Sequence, residues 1–330
     1  MPQPLFVFIQ LEFPWMLGPA DGRYLIRRER DGEAESVVVL STLDAAGRRL
    51  AERAGSGGGG SLLRRLREGA REVPPQPDPA PVSTTRATVI DPVSLSAEAQ
   101  ARAWLEELDA EREIAAAVAR LNRVVYSHRV AAADPYVHEV SPLQALTIRG
   151  GWGEGEQVAD GRWLHARTLI WSAPPTGARS GGGVRGVGKL RGTGRRVGRD
   201  RSWALRPQER VAAMLSGRAS TLLCEEAVLR AREDLDQARP QQAALELERA
   251  FALAVDELRA EQRQDLAIRV GELEQLRSGV EEQAHTARRL ARLRAAGERD
   301  DVEGELDEER LTHALERLEA ALRARTAAGL

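Results

Sequence analysis

The hydrophobic pattern divides the chain into a first part with strand periodicity and a last part with helical periodicity. Residues 5–13 are rich in β-forming side chains and alternate between apolar and polar positions in their second half. Asp31-Gly32 is a turn dipeptide between residues 23–30 and 33–43, and this arrangement predicts a hairpin. We therefore expect residues 5–43 to form a small antiparallel meander.

Further strands and one long helix are predicted in the next part of the chain. Residues 86–93 favour a strand, and apolar residues then recur at helical spacing from about residue 98 to residue 129. Residues 143–149 and 162–171 favour two more strands. Strands, a helix and further strands together indicate an α+β region.

From Pro207 onward the whole pattern is helical. Residues 221–236 and 240–260 are two amphipathic segments that resemble a single helical hairpin of the tetratricopeptide-repeat type. The small and apolar residues that carry this resemblance are Ala227, Leu229, Ala231, Ala243, Ala244, Ala250 and Phe251. Proteins of that type need about three stacked repeats. No clear second copy follows in this sequence, so we do not assign the chain to the family.

Two further apolar stripes follow at helical spacing. The first is a short heptad pattern with Gln283 at a core position, and the second marks a final helix. Their apolar members are Leu273, Leu276, Val280, Ala287 and Leu290, and then Leu311, Leu315, Leu318 and Leu322. An isolated helical bundle, a partner protein or a second copy of the chain would each bury these stripes.

The predicted fold is an α+β N-terminal region, with antiparallel strands plus one long helix, followed by an all-α C-terminal helical domain. We divide the chain into a β-meander part (1–54), a Gly/Pro-rich linker or insertion (55–83), an α+β part that forms one domain with the first (84–173), a disordered basic Arg/Gly linker (174–202) and a helical domain (203–330). The sequence GSGGGGS at 55–61 is typical both of natural GC-rich chains and of engineered linkers.

Composition narrows the class of protein. The 330 residues are 42% hydrophobic and 30% charged, with a formal net charge of -2. No apolar stretch approaches the roughly 18 residues of a membrane span, so an integral membrane protein is excluded. The one cysteine, Cys224, excludes a disulfide framework and a Cys-rich zinc module. The first basic residue, Arg23, follows the apolar run at 5–13, which does not fit a secretory signal, and we expect a cytoplasmic protein.

Two motif matches are rejected because the neighbouring residues do not fit the motifs. Residues 183–189 spell the first seven positions of a P-loop, but Leu190 stands where the magnesium-binding Ser or Thr belongs, and the glycine- and arginine-rich tract that follows cannot supply the helix. Arg123 and His128 match the spacing of the ribonucleases of the HEPN fold, but Val124 replaces the usual Asn, Asp or His. Lys189 is the only lysine, so 47 of the 48 basic residues are arginines, and chance matches are expected.

One group of polar residues offers a candidate catalytic site. Its members are His128, Asp134, His138 and Glu139, with His165 as a further candidate. In a hydrolase built on this group, His128 or His138 would act as the general base and Arg149 would bind the anion. The spacing does not form a helical pair of metal ligands, because such ligands are four residues apart on one face. We assign no metal ligands and expect no cofactor.

The sequence GGWGEG at 150–155 has two interpretations. It forms either an exposed contact loop around Trp152, or a turn in which the glycines supply positive φ angles and the tryptophan packs on the sheet. Cys224 lies between apolar residues, and we expect it to be a small buried side chain.

The leading functional hypothesis is a non-enzymatic interaction or scaffold protein. A protein partner, or a second copy of the chain, would bind through the amphipathic C-terminal helices. The first alternative is a nucleic-acid-binding protein that uses the tract at 179–201, whose basic residues would contact phosphates. The residues proposed for that contact are Arg185, Lys189, Arg191, Arg195, Arg196 and Arg199. The second alternative is a hydrolase with a site around residues 128–139.

Overall fold

The structure is a computed structural model that describes residues 4–30, 32–45, 82–172, 201–297 and 306–327. The chain divides into two compact units. The first unit takes in residues 1–26, 34–122 and 140–186, and the second takes in residues 27–33, 123–139 and 187–330. The predicted fold class, an antiparallel α+β region followed by helices, is confirmed. The predicted linkers at 55–83 and 174–202 lie outside the described residues except at their last two positions, where residues 82–83 begin a strand and residues 201–202 begin a helix.

A six-stranded sheet forms the first unit. Its strands are β1 (Leu5–Phe13), β2 (Gly22–Arg27), β3 (Ala34–Ala45), β4 (Val82–Ile90), β5 (Thr147–Glu154) and β6 (His165–Thr168). The strand order is β2-β3-β4-β1-β5-β6, and β1 pairs antiparallel with both β4 and β5. In the register, Phe8 lies opposite Ile90 on one side and opposite Gly151 on the other.

The strand β1 lies inside the sheet, not at the start of a meander. The predicted meander over residues 5–43 is wrong in its order, because β1 is separated from β2 by β3 and β4. The reason is visible in β1 itself, since none of its nine residues is exposed. Its first five residues are all apolar, and a short continuous apolar run is typical of a strand that is covered on both faces. The predicted hairpin is confirmed, because β2 and β3 are neighbours.

The single long helix of the prediction is two helices, α1 (Glu98–Glu107) and α2 (Ala110–Ala132). The chain leaves helical geometry at Leu108, where ψ is 118°. Asp109 then starts α2, because its side chain accepts a hydrogen bond from the N–H of Arg112 at 3.2 Å. An aspartate in this position satisfies one of the free N–H groups at a helix start. The first thirteen residues of α2 belong to the first unit and the remainder to the second.

The glycine-rich sequence at 150–155 forms the end of β5 and not a turn. None of its glycines has a positive φ. A Cβ on Gly151 would lie 2.8 Å from the Cα of Ala166 in β6, so this glycine is needed for the close approach of two backbones. Trp152 is buried and packs against Val7 of β1 and Ala101 of α1. The contact-loop interpretation is therefore wrong, while the predicted packing of Trp152 on the sheet is confirmed.

In the described residues of the second unit five helices follow. They are α4 (Arg201–Leu215), α5 (Leu223–Asp236), α6 (Pro240–Ala260), α7 (Gln264–Ala295) and α8 (Glu308–Ala327). A short helix of the first unit, α3 (Gly155–Ala159), precedes them in the chain. The predicted hairpin of residues 221–236 and 240–260 corresponds to α5 and α6, with one helix start displaced by two residues. The backbone N–H groups of Leu223 and Cys224, at the start of α5, donate to the carboxylate of Glu257 in α6 at 2.7 and 3.1 Å.

The apolar stripes of α5 to α8 pack against one another. Leu273 and Val280 of α7 belong to the same buried cluster as Leu311, Leu315 and Leu318 of α8. The sequence left open three ways of burying the apolar stripes. For these residues the structure shows burial inside the bundle. The polar member of the heptad stripe is also accounted for, because the buried Gln283 accepts a hydrogen bond from the N–H of Asp307 at 2.9 Å, one residue before α8 begins.

Candidate functional site

A cavity of about 390 Å³ opens in the second unit between the end of α2, α5 and α8. We call it the apolar cavity, because most of its lining is carbon. Its apolar wall includes Val130, Pro135, Val228, Leu229 and Leu322. Its charged and polar lining includes Tyr136, Arg210, Glu225, Arg232, Asp236 and Glu319. A pocket of a few hundred Å³ with an apolar wall and a few convergent polar groups is typical of a binding site.

The turn after α2 positions the tyrosine of this cavity. Ala133 adopts a left-handed φ of 50°, and the N–H of Asp134 donates to the carbonyl of Arg129 at 3.0 Å, which ends the helix. The side chain of Asp134 then accepts a hydrogen bond from the N–H of Tyr136 at 2.9 Å. As a result Tyr136 lies at the cavity, where its hydroxyl donates to Asp236 at 2.8 Å.

Partial burial and the hydrogen bond to Asp236 raise the pKa of Tyr136 to about 12. The phenol is therefore protonated at neutral pH and acts as a hydrogen-bond donor. Its ring is half exposed, at 50%. A partner molecule at the mouth of the cavity has access to this ring.

Ion pairs hold the charged wall of the apolar cavity in place. Arg232 of α5 forms two parallel hydrogen bonds with Glu319 of α8, both at 2.9 Å. These bonds raise the pKa of Arg232 above its ordinary value. Arg210 of α4 donates to the buried carboxylate of Glu225 in α5, and also to the carbonyl of Val130 at 3.2 Å. Two-pronged arginine–carboxylate pairs fix orientation as well as charge.

A second cavity, of about 270 Å³, lies on another side of Arg210 in the same unit. We call it the cationic cavity, because four arginines and one glutamate line it. These residues are Arg210, Arg218, Glu261, Arg263 and Arg325. Arg210 and Thr326 line both cavities.

The predicted catalytic residues of 128–139 lie in the second unit. His128 is half-buried, and burial lowers its pKa against the opposing effect of Asp134. His138 is exposed and faces Glu233, with 3.9 Å between Nε2 and the carboxylate oxygen, while Glu139 is exposed. Asp134 is engaged in the turn before Tyr136. Across the described ranges no group of three His, Cys, Asp or Glu side chains is placed to hold a metal ion.

Arg149, proposed as the anion-binding group of a hydrolase, lies in the first unit. Its guanidinium donates to Glu12 of β1 at 2.9 Å and stacks over the ring of Trp163 at 5.7 Å. The hydrolase hypothesis stays a prediction from sequence.

The tract proposed to bind nucleic acid falls outside the described residues up to residue 200. Arg185, Lys189, Arg191, Arg195, Arg196 and Arg199 therefore stay a prediction. Cys224 is fully buried, as expected, and burial raises the pKa of its thiol.

Sequence reasoning missed the two cavities. Arg232 and Glu319 are 87 residues apart, and neither belongs to a motif. The one local signal was Asp134-Pro135 before Tyr136, a pair that favours a turn after a helix.

Comparisons with known proteins identify no relative. Neither a family model, nor a curated protein, nor a solved structure matches the chain. Of the helices in the described ranges, none combines the length and the apolar character that a membrane span requires.

Proposed function

We propose that this chain is a non-enzymatic interaction protein and that the apolar cavity of its helical unit receives a protein partner. The observation that carries the proposal is the half-exposed ring of Tyr136 beside an apolar cavity of about 390 Å³. The apolar stripes of α5 to α8 pack against one another, so the partner would contact the apolar cavity instead. A cytoplasmic location remains part of the proposal.

The residue types that line the apolar cavity are those common at the centres of protein–protein interfaces. Tyrosine and arginine are enriched among the residues that contribute most to protein–protein binding, above all beside apolar pockets that exclude water. Tyr136, Arg232 and Arg323 lie together at this cavity. Tyrosine offers a large rigid contact area and loses little conformational entropy on binding.

The charged lining favours binding over catalysis. Arg210, Arg232 and Tyr136 are each engaged with a carboxylate. A general base or a nucleophile needs a group that is poised to give or take a proton near neutral pH. Tyr136 does not meet this need, because its pKa is raised and its phenol keeps its proton near neutral pH.

The partner segment should carry an apolar side chain next to a carboxylate. The apolar side chain would fill the cavity beside Leu229. Glu319 is shared by Arg232 and by Arg323, at 2.9 and 3.5 Å, and the longer of the two contacts is the one to Arg323. The Arg323 side chain is 67% exposed and is accessible to a carboxylate of the partner.

Site-specific photocrosslinking in cells tests the proposal. A photoreactive amino acid in place of Tyr136 should give a discrete protein adduct. The same amino acid in place of Ile268, which is 74% exposed on α7, should not. The partner, once identified by mass spectrometry and purified, should bind the full chain, and Tyr136→Ala or Arg323→Glu should weaken that binding at least tenfold.

Three results would overturn the proposal. An adduct with twice the mass of the chain would identify a second copy as the occupant. An adduct that ribonuclease removes would favour the nucleic-acid alternative. A purified partner whose affinity is unchanged by both substitutions would place the contact elsewhere.

A further inference from the structure

The cationic cavity has the composition of an anion site. Its lining contains three more positive than negative charges. Glu225 and Asp265, which lie outside the lining, pair with Arg210 and Arg263 and offset part of this excess. The remaining lining consists of small residues, Ala213, Ala219, Ser220 and Thr326, which leaves space beside the guanidinium groups.

Three of the four arginines are held in position by the protein. Arg325 donates to Glu261, and its side chain is only 16% exposed. Arg263 donates to Asp265 at 2.6 Å and to the carbonyl oxygen of Arg325 at 2.9 Å. Arg210 is anchored by Glu225. Cations fixed before the ligand arrives lose little freedom when they bind it.

The fourth arginine, Arg218, has donors to spare. Its Nε donates to the hydroxyl of Ser216 at 2.9 Å, and it forms no ion pair with any carboxylate of the described residues. Gly217, with a φ of 70°, ends α4, and the N–H of Arg218 closes the turn on the carbonyl of Ala213 at 2.8 Å. This turn holds the backbone of Arg218 at the cavity.

The donors of this site are side chains and not a helix end. The N–H groups at the start of α5 already donate to Glu257. Guanidinium groups from α4, the loop after it, the turn before α7 and the end of α8 converge instead. Guanidinium groups from several segments around one space can offer their remaining N–H donors to the three oxygens of a phosphate, which accepts more hydrogen bonds than a single carboxylate does.

We propose that the cationic cavity, lined by Arg210, Arg218, Arg263 and Arg325, binds the phosphate group of a small phosphomonoester. The volume of the cationic cavity, about 270 Å³, exceeds that of a phosphate group, so a small organic substituent fits beside the phosphate. The proposal is independent of the protein partner proposed for the apolar cavity.

Isothermal titration calorimetry on the full chain tests the proposal, with phenyl phosphate and inorganic phosphate as probes. Phenyl phosphate should bind saturably at one site per chain and raise the melting temperature. Sodium chloride at equal ionic strength, and benzoate, should do neither. If inorganic phosphate binds as tightly as phenyl phosphate, the organic substituent contributes nothing and the free ion is the ligand, against the proposal.

Two substitutions locate the site. Arg218→Ala should weaken the binding of phenyl phosphate at least tenfold, and Arg218→Lys should retain part of it. Ser220→Asp should abolish binding, because it adds a negative charge to the exposed lining. Arg277→Ala, which removes the same charge from the exposed face of α7, should leave binding unchanged. Unchanged affinity in both Arg218→Ala and Ser220→Asp, with melting curves that show a folded protein, would overturn the proposal.

Discussion

The buried carboxylate of Glu225 binds the guanidinium of Arg210, and Arg210 lines both the apolar cavity and the cationic cavity. The Glu225 side chain is 6% exposed and that of Arg210 is 14% exposed. The same carboxylate accepts a hydrogen bond from the N–H of Leu222 at 2.9 Å and lies 3.9 Å from Arg325. One acidic side chain thus connects α4, the start of α5 and the end of α8.

Glu225→Gln should destabilise the protein strongly. The substitution removes the negative charge but leaves Arg210 buried, and breaking one side of a buried pair costs about 3–5 kcal/mol. Chemical denaturation of both proteins measures the loss in the free energy of unfolding. Glu98→Gln is the matched control, because its pair with Arg102 is exposed and such pairs contribute about 0.3–0.5 kcal/mol. Equal losses in the two variants would show that Glu225 is not a buried partner.

Gly151→Ala should destabilise the sheet. The new Cβ would lie 2.8 Å from the Cα of Ala166, and closer still to the carbonyl oxygen of His165, so β5 and β6 would have to separate. Overpacking of this kind costs about 1–3 kcal/mol. Gly271→Ala is the control, because a Cβ there meets no atom within 4 Å and alanine favours the helix, which should stabilise by up to about 1 kcal/mol. Melting temperatures that shift in the same direction for both variants would contradict this account.

The sequence predicted a helix or strand well where the evidence for it is the hydrophobic pattern within that segment alone. The bounds of β1 and α6, and the order of an α+β region before a helical one, follow from local periodicity. The position of β1 within the sheet does not, because strand order depends on pairing between distant segments. The break at Leu108-Asp109 was missed because both helices continue the same apolar stripe, and the signal for it was the capping aspartate itself.

The cavities were beyond sequence reasoning for a related reason. Arg218, Arg263 and Arg325 come from three separate segments, and among 47 arginines nothing marks these three. Their meeting depends on how α4, α7 and α8 pack. Conversely, the predicted 128–139 group is close in sequence, but the end of α2 and the turn after it direct its side chains to different neighbours.

Ala238→Gly should stabilise the protein. Ala238 ends α5 with a φ of 54°, a left-handed conformation that costs a residue with a Cβ about 1–2 kcal/mol. Glycine relieves this strain, and the gain is partly offset by the greater freedom of glycine in the unfolded chain. The net gain in the free energy of unfolding should be up to about 1 kcal/mol. Ala115→Gly, at an exposed position inside α2, should instead lose about 1 kcal/mol. Losses in both variants would show that Ala238 is not strained.

The half-buried His128 should make the protein less stable at acid pH. Burial lowers the pKa of His128 below its usual value of 6.5, and the charge of Asp134 opposes this shift without reversing it. Between 6.5 and the lower pKa of the folded protein, the unfolded chain binds more protons than the folded one. Above pH 6.5 His128 is neutral in both states and does not change the free energy of unfolding. As the pH falls from 6.5 through the lower pKa of the folded protein, the free energy of unfolding decreases.

Melting temperatures at pH 8 and pH 5.5 measure this effect. The drop in melting temperature between the two pH values should be smaller in His128→Gln than in the unmodified protein, because glutamine does not take up a proton. His313→Gln should show the full drop, since His313 is exposed on α8 and its imidazole is solvated in the folded and the unfolded chain. An equal drop in all three proteins would show that the acid sensitivity does not come from His128.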